Sequence, residues 1–551
     1  MKHPWWCLFV LVLLSACHQK SPNNKRPSAA SLRREALKQW DKTIPGNFSP
    51  QTSLRFDSTY LRGFLEQYPD MVRYESDIRK FYSKRQYAFA WFDGKGLIEP
   101  AGNLSDRILN LAGEGLNKST PYQAVLDSLI HNYRENSGAH KASKPLELML
   151  TAQYFAFAKL AWQGIDESPE KANDWFVPRK KVSYEQYLDS MLQQKPNHSH
   201  NAYKDPVYRQ YDHLRAFISQ YKHLDERGVW PAINLDKSIK SFKYGDSSET
   251  LVKIRRRLYA LGDLKSDTLS PSYDSTLFKA MQQFQERHGI NPDGAIGPGT
   301  LSELNISPNQ RLRQIIVNME RSRWLPASQQ GEYLGVNIPE FKLHIYRDDS
   351  LLWSTNVVVG KALHETVIFS GNVKYVVFSP YWNVPPSIVK AEIVPGMKRN
   401  SNYLIAHHME VTGNSGGLPV VRQKPGPANS LGLVKFLFPN SHNIYLHDSP
   451  AKSLYNETSR AFSHGCIRVS EPKRLAEFLL KKDSTWTAES IDKAMHLGKE
   501  KTVTLKQTVP VFIAYFTAFV DRRGRLNFRK DIYKRDERLA ELLLNANNNS
   551  N

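Results

Sequence analysis

Apolar residues recur along this chain at two different periods, and the change from one to the other divides it. From about residue 50 to 240 the spacing is helical. Leu61, Phe64 and Leu65 open one face, Leu104, Ile108, Leu109 and Leu111 a second. Leu146, Leu148, Ala152, Phe155, Ala156 and Leu160 form a third stripe. The aromatic run Tyr87-Ala88-Phe89-Ala90-Trp91-Phe92 reads as core, and no catalytic grouping falls anywhere in this helical unit, taken as 49–240. Residues 245–306 form a smaller one. Leu251, Ile254, Leu258 and Leu261 make one helix face, ended by Gly262; Asp274 or Ser275 caps a second helix carrying Leu277, Ala280, Met281 and Phe284. The turn Asn291-Pro292-Asp293-Gly294 leads to a short third helix with Leu301 and Leu304. Ser307-Pro308 then starts a helix with Leu312, Ile315, Ile316 and Met319 on its apolar face, stopped by Arg323-Trp324-Leu325-Pro326.

From Tyr333 the period becomes two. Phe341, Leu343 and Ile345 alternate with Lys342, His344 and Tyr346, and Trp353 to Val359 and Val373 to Phe378 continue in β-branched and aromatic residues. After Trp382-Asn383-Val384-Pro385-Pro386 the strand signal stops. Residues 387–440, rich in Gly, Pro, Asn and Lys, read as an irregular segment, either a functional lid or a disordered insertion. Strand character returns at Asn443 to His447 and at Val509 to Val520, where Pro510 points to an edge or a strand start. The expected architecture is multidomain α+β: a helical scaffold, a three-helix module, a β-rich domain over 307–541, and a frayed Asn-rich tail at 542–551.

A chain of 551 residues is too long for one core. Its net charge of +21 is compatible with nucleic acid, an anionic membrane or an acidic polymer, but the basic residues are dispersed and no stretch reads as a nucleic-acid module, which leaves a solvated basic surface. The N-terminus bears on compartment. A short basic start precedes an apolar run from Trp5 to Leu14, too short to span a bilayer. Leu14-Ser15-Ala16-Cys17 resembles a bacterial lipobox, so residues 1–16 are expected to be a removed lipoprotein signal. Cys17 would then be a lipidated first residue, and the polar residues 17–48 a tether. Of three cysteines, Cys466 is then the one left as a free thiol. No disulfide framework follows, no CxxC or HExxH offers a metal site, and no cofactor is expected.

A thiol attacks carbonyl carbon as thiolate and needs a base or cation beside it. Cys466 lies in Ser463-His464-Gly465-Cys466-Ile467-Arg468, and His447 ends the apolar run Ile444-Tyr445-Leu446-His447, with fifteen residues between it and Ser463. That length lets the chain turn and bring the two segments side by side. His447 is the preferred base and His464 its rival, since residues two apart in an extended segment share a face. The amides of Gly465 and Cys466 are candidate oxyanion donors. Tyr445 shares a face with His447 and is placed to line the pocket.

His447, fifteen residues, then Ser-His-Gly-Cys, an apolar residue and Arg468 resembles the signature of the YkuD-type L,D-transpeptidases, in particular the large YcbB-like branch with a scaffold domain, a peptidoglycan-binding module and a lid. The string Phe284-Gln285, Gly289-Ile290, Asp293-Gly294, Ile296-Gly297 and Thr300-Leu301 resembles that three-helix module. The resemblance implies two-step acyl transfer between peptidoglycan stem peptides, with Cys466 as nucleophile, His447 as base oriented by a backbone carbonyl, and D-alanine expelled from a tetrapeptide donor. It implies substrate contacts for Arg468, Tyr445, Ser463, His464, Trp382 and Asn383, with Arg468 suited to a carboxylate and Trp382 and Asn383 at the mouth. A periplasmic, membrane-anchored protein of a Gram-negative-type envelope is expected. An L,D-carboxypeptidase, an enzyme attaching protein to peptidoglycan, and a non-catalytic wall-binding lipoprotein remain open.

Overall fold

The computed structural model describes residues 54–93, 96–116, 118–135, 142–165, 175–193, 205–228, 230–235, 238–266 and 269–544. The expected leader at 1–16, the tether with Cys17 and all but the first three residues of the expected tail lie outside them.

Helices Ser58–Gln67, Glu75–Lys84, Glu99–Leu109, Gln123–Glu135 and Lys144–Phe157 pack around one apolar core. Lys144–Phe157 is buried on every side from Leu146 onward, so its expected stripe is the axis of the unit. The buried Glu147 carboxylate accepts hydrogen bonds from Tyr82 Oη (2.7 Å) and from the amides of Ala90 (2.6 Å) and Trp91 (3.0 Å). Those bonds pin the aromatic run to that axis. The small module has its own core of Leu251, Ile254, Leu258, Leu277, Phe284 and Leu304 on three helices, Glu249–Leu261, Ser275–Arg287 and Pro298–Asn305. Gly262 closes the first helix at φ +84, and Asp274 caps the second through Leu277 N (2.9 Å).

Helix Pro308–Trp324 opens with a capping box between Ser307 and Gln310. It is buried well beyond its four-residue apolar face, because it runs between scaffold and β-domain. Asn318 Nδ2 donates to Thr517 Oγ1 (2.7 Å) and Arg323 Nε to the Ala161 carbonyl (2.9 Å), so the polar positions meet partners on both sides.

The β-domain is a closed ring. Its strands are β1 (Glu332–Asn337), β2 (Lys342–Arg347), β3 (Ser350–Gly360), β4 (Ile368–Phe378), β5 (Val434–Leu437), β6 (Leu446–His447), β7 (Ile467–Val469) and β8 (Lys501–Ala514), ordered β5-β6-β7-β3-β2-β1-β8-β4 and closed by β4 on β5. Alternate residues fill the interior, Leu334, Leu343, Val357, Val376, Phe436, Leu446 and Ile467 among them. At Pro510 strand β8 is paired on the β4 side alone, as the missing N–H requires. This proline lies beyond a register shift between Thr504 and Val509, one residue before β8 begins to pair with β1.

Four boundaries differ from expectation. The hairpin Ala518–Val520/Leu526–Phe528 joins the scaffold core rather than the barrel. Trp175–Phe176, from the helical region, adds to β4. The insertion is folded: a helical run Pro386–Arg399 with a π turn at Val389–Ile393, a short helix Tyr403–Ala406 and a hairpin Met409–Ser415/Leu418–Gln423 enclose Val384, Ile388, Val389, Ile393 and Val421. It ends before β5, which belongs to the barrel. Its glycines serve turns, as at Gly416 and Gly417 (φ +58 and +78), which is why composition alone mimics irregular chain. The final helix, Arg535–Leu544, runs three residues into the expected tail.

Candidate functional site

Strands β6 and β7 run parallel, with Leu446 opposite Ile467 and His447 opposite Arg468. Leu446, Ile467 and Val469 have no exposed surface and point into the barrel. Side chains alternate across a strand, so Tyr445, His447, Cys466 and Arg468 share the outer wall. Cys466 sits one residue before β7 and is half-buried, the one cysteine among the described residues.

The turn that carries Cys466 is braced from within. Ser463, 2% exposed, donates from Oγ to the Cys466 carbonyl (2.6 Å) and accepts the Gly465 amide (3.2 Å). Gly465 holds φ +112, a conformation glycine adopts without strain. Thr366 Oγ1 donates to the Gly465 carbonyl (2.8 Å) and accepts the Gly360 amide (2.9 Å), tying the loop 361–366 to the same turn. Two expectations change. Ser463 is a structural brace turned into the protein, not a substrate contact. The Gly465 amide is taken by Ser463, so of the two proposed oxyanion donors the Cys466 amide is the one this brace leaves.

His447 is 4% exposed although it faces outward, because the returning arm of the insertion covers it. Its Nδ1 pairs with the Asp448 carbonyl, and the ring also lies beside the Leu431 carbonyl. A carbonyl can only accept, so Nδ1 carries the hydrogen and Nε2 keeps its lone pair. Burial, reinforced by the Arg468 cation, pushes the imidazole down to about 3. The Asp448 carboxylate turns away to Leu433 N (2.9 Å) and Lys452.

The thiol does not hydrogen-bond the imidazole. Its Sγ donates to the Asn443 carbonyl at 3.6 Å, with the Tyr445 hydroxyl beside it. By the β6–β7 register Cys466 is the diagonal neighbour of His447. Burial pushes the thiol up, against Tyr445 and the Arg468 cation; burial likewise pushes the Tyr445 phenol up, with Cys466 adding to it. The Tyr445 and His447 rings lie 5.6 Å apart. Arg468 is pulled below the ordinary guanidinium range by burial, and its buried Nε has no hydrogen-bond partner. A buried, unpaired guanidinium N–H on the wall that holds the thiol favours an anionic ligand group.

His464 faces outward. Its Nε2 is 3.4 Å from Glu392 Oε1 on the insertion's helix, and its ring is 5.1 Å from that of His364. Trp382 and Asn383 pair with Gln423 and Arg422, and Trp382 packs on the insertion's core. They root the lid instead of lining the thiol. Sequence reasoning missed Asn443, Thr366, Leu431 and Glu392; the first three act through main chain or as internal braces, which residue type does not signal. A separate cavity of about 400 Å³, lined by Tyr208, Arg209, Tyr333, Tyr346 and Phe519, opens between scaffold and barrel and contains none of these groups. Among the described residues no cluster of three or more His, Cys, Asp or Glu is placed to hold a metal, and no helix is long and apolar enough to cross a membrane.

Three family models match the chain: an L,D-transpeptidase catalytic domain of YkuD type over residues 331–500, a scaffold domain over 76–217 and a peptidoglycan binding domain over 247–304. The first spans every candidate on the barrel wall. A curated Haemophilus influenzae protein named "Putative L,D-transpeptidase" is 33% identical across 44% of this chain and 51% of its own length. The chain thus spans about half the length of that relative. Among solved structures, an L,D-transpeptidase from Xylanimonas cellulosilytica is 15% identical, covering 51% of this chain and 100% of its own at TM-score 0.18. One from Stackebrandtia nassauensis is 15% identical, covering 52% and 98% at TM-score 0.20.

Proposed function

We propose that this chain, whose residues match models of a YkuD-type L,D-transpeptidase catalytic domain, a scaffold domain and a peptidoglycan binding domain, is a peptidoglycan L,D-transpeptidase in which Cys466 forms 3-3 cross-links between stem peptides in cell-wall biogenesis. The observation that carries this reading is the shared wall: an imidazole whose Nδ1 is held by the Asp448 carbonyl stands beside the thiol, with the unpaired Arg468 Nε next to both.

His447 is neutral at physiological pH and offers Nε2. Rotation about the Cys466 Cα–Cβ bond releases Sγ from Asn443 and aims it at that nitrogen. The imidazole takes the thiol proton, sulfur attacks the carbonyl of the third, L-configured residue of a tetrapeptide stem, and the Cys466 amide receives the oxyanion. The imidazolium returns the proton to the departing D-alanine amine, leaving a thioester. Arg468 holds a donor carboxylate, such as that of a diaminopimelate residue, and Tyr445 stays against the sulfur. An amine of a second stem resolves the thioester. The folded insertion shields it from water, favouring the amine.

The Leu14-Ser15-Ala16-Cys17 segment supports a lipid-anchored protein on the periplasmic side of a Gram-negative-type envelope. The test is incubation of the soluble chain with tetrapeptide muropeptides, read by mass spectrometry, beside Cys466→Ala. Cross-linked dimers that need Cys466 support the proposal. Shortened monomers alone indicate an L,D-carboxypeptidase, and transfer only to a protein amine indicates attachment of protein to the wall. No product and no carbapenem adduct on Cys466 would leave a non-catalytic wall-binding protein.

A further inference from the structure

The insertion presents one carboxylate to the nucleophile turn. Glu392 lies in the π turn at Val389–Ile393, and π turns are over-represented at functional sites. Over Pro386–Arg399 it is the lone acid, beside Lys390, Lys398 and Arg399. Its side chain is 54% exposed, with Oε1 3.4 Å from His464 Nε2, two residues before Cys466. On the other side of His464 stands the loop 361–366, joined to the turn by Lys361 N donating to the Ser463 carbonyl (3.0 Å) and by Thr366. Leu363, next to His364 in the chain, and Phe462, two residues before His464, are exposed apolar side chains.

The groups facing His464 are Glu392 from the insertion, Lys361 and His364 from the loop, and Arg468 from its own segment. Burial pulls the imidazole below its ordinary value; Glu392, the next influence in size, opposes it, and Lys361, His364 and Arg468 add smaller downward pulls. His464 is therefore neutral near pH 7 and leaves the Glu392 charge uncompensated. Arg468, an anion-seeking group, lies on the β7 side of the sulfur, and a cation-seeking group lies on the other.

We infer that Glu392 and His464 form the subsite for the acceptor: the side-chain ammonium of a second stem peptide, its alkyl arm against Leu363 and Phe462. This rests on the transpeptidase reading above. The bound ammonium gives one proton to His464 Nε2. The freed lone pair forms the C–N bond at the thioester carbonyl, the C–S bond breaks, and the remaining surplus amine proton passes through His447 to the Cys466 sulfur. The products are one amide, one thiol and a protonated His464.

The experiment separates the half-reactions in the full soluble chain. Thioester formation from a tetrapeptide donor is followed by intact mass, then its partition between cross-linked dimer and water-released tripeptide is titrated with acceptor stem. Glu392→Gln should raise the acceptor concentration for half-maximal dimer about fivefold or more, and Glu392→Asp should recover part of that. An acceptor with its side-chain amine acetylated should give no dimer and leave the release of tripeptide to water unchanged, with or without the substitution. If Glu392 merely latches the insertion, thioester formation slows and the partition stays constant, which would overturn the assignment. So would an unchanged titration in Glu392→Gln. Failure of the unsubstituted chain to form thioester at all would instead remove the transpeptidase reading, and this subsite with it.

Discussion

Ser463→Ala removes one oxygen from the nucleophile turn. That oxygen donates to the Cys466 carbonyl at 2.6 Å and accepts the Gly465 amide at 3.2 Å, in a residue 2% exposed. Each bond contributes about 1 kcal/mol net, and a buried group stranded without a partner costs about 1–3 kcal/mol. Both groups belong to a short turn that can partly relax, so the expected loss is about 2 kcal/mol, roughly 4–8 °C in the catalytic-domain melting transition. Function should suffer more than stability, because the Cys466 amide and sulfur are aimed by this turn. A displacement on the order of 1 Å costs about a hundredfold in rate. Ser463→Thr keeps the hydroxyl and should restore most of the rate, less about 1 kcal/mol for the added methyl. The assay is thermal melting together with an intact-mass time course of Cys466 acylation by a carbapenem. An alanine variant that melts within a degree of the parent and acylates within twofold would show that the brace is idle and the reasoning wrong.

His447→Gln should slow acylation about 10²- to 10⁴-fold. With the imidazole pushed down to about 3, the parent's acylation rate should show no inflection near pH 6.5 and should climb with alkaline pH, because burial holds the thiol above its ordinary range; a plateau beginning at pH 6–7 would contradict this. The same depressed imidazole is neutral in the folded state while an unfolded histidine protonates near ~6.5. Its stabilising contribution is therefore complete above about pH 6.5 and is lost as pH falls toward 3, at up to ~1.4 kcal/mol per pH unit, a slope that melting curves should show diminished in His447→Gln. Arg468→Gln should raise the donor concentration for half-maximal acylation about tenfold or more, and Arg468→Lys should recover little, since an ammonium does not reproduce a planar fork. Gly360→Ala would place a Cβ 2.0 Å from the His364 carbonyl oxygen and 2.9 Å from the Thr366 amide, both backbone atoms. The loop 361–366 must shift, Thr366 loses its aim at the Gly465 carbonyl, and stability should fall by about 1–3 kcal/mol with slower acylation; an unchanged melt would refute the clash.

Local chemistry was legible in the chain itself. Helix periods, the Asp274 and Ser307 caps, the alternation from Tyr333 and the spacing of His447 from Cys466 depend on residue type and distance along the sequence, so the α+β division and the candidate thiol and imidazole could be named from them. Packing across the sequence could not. Where β8 gains its second neighbour, one residue after Pro510, is decided by the strand order, and the Gly465 carbonyl of the nucleophile turn is held by Thr366, about a hundred residues upstream. The order within the insertion comes from a core of five buried apolar residues that its glycines and prolines disguise. The meeting of Glu392 with His464, and the resting thiol held by Asn443 away from its base, arise because segments distant in sequence bury each other's surfaces, and no local propensity encodes which segments those are.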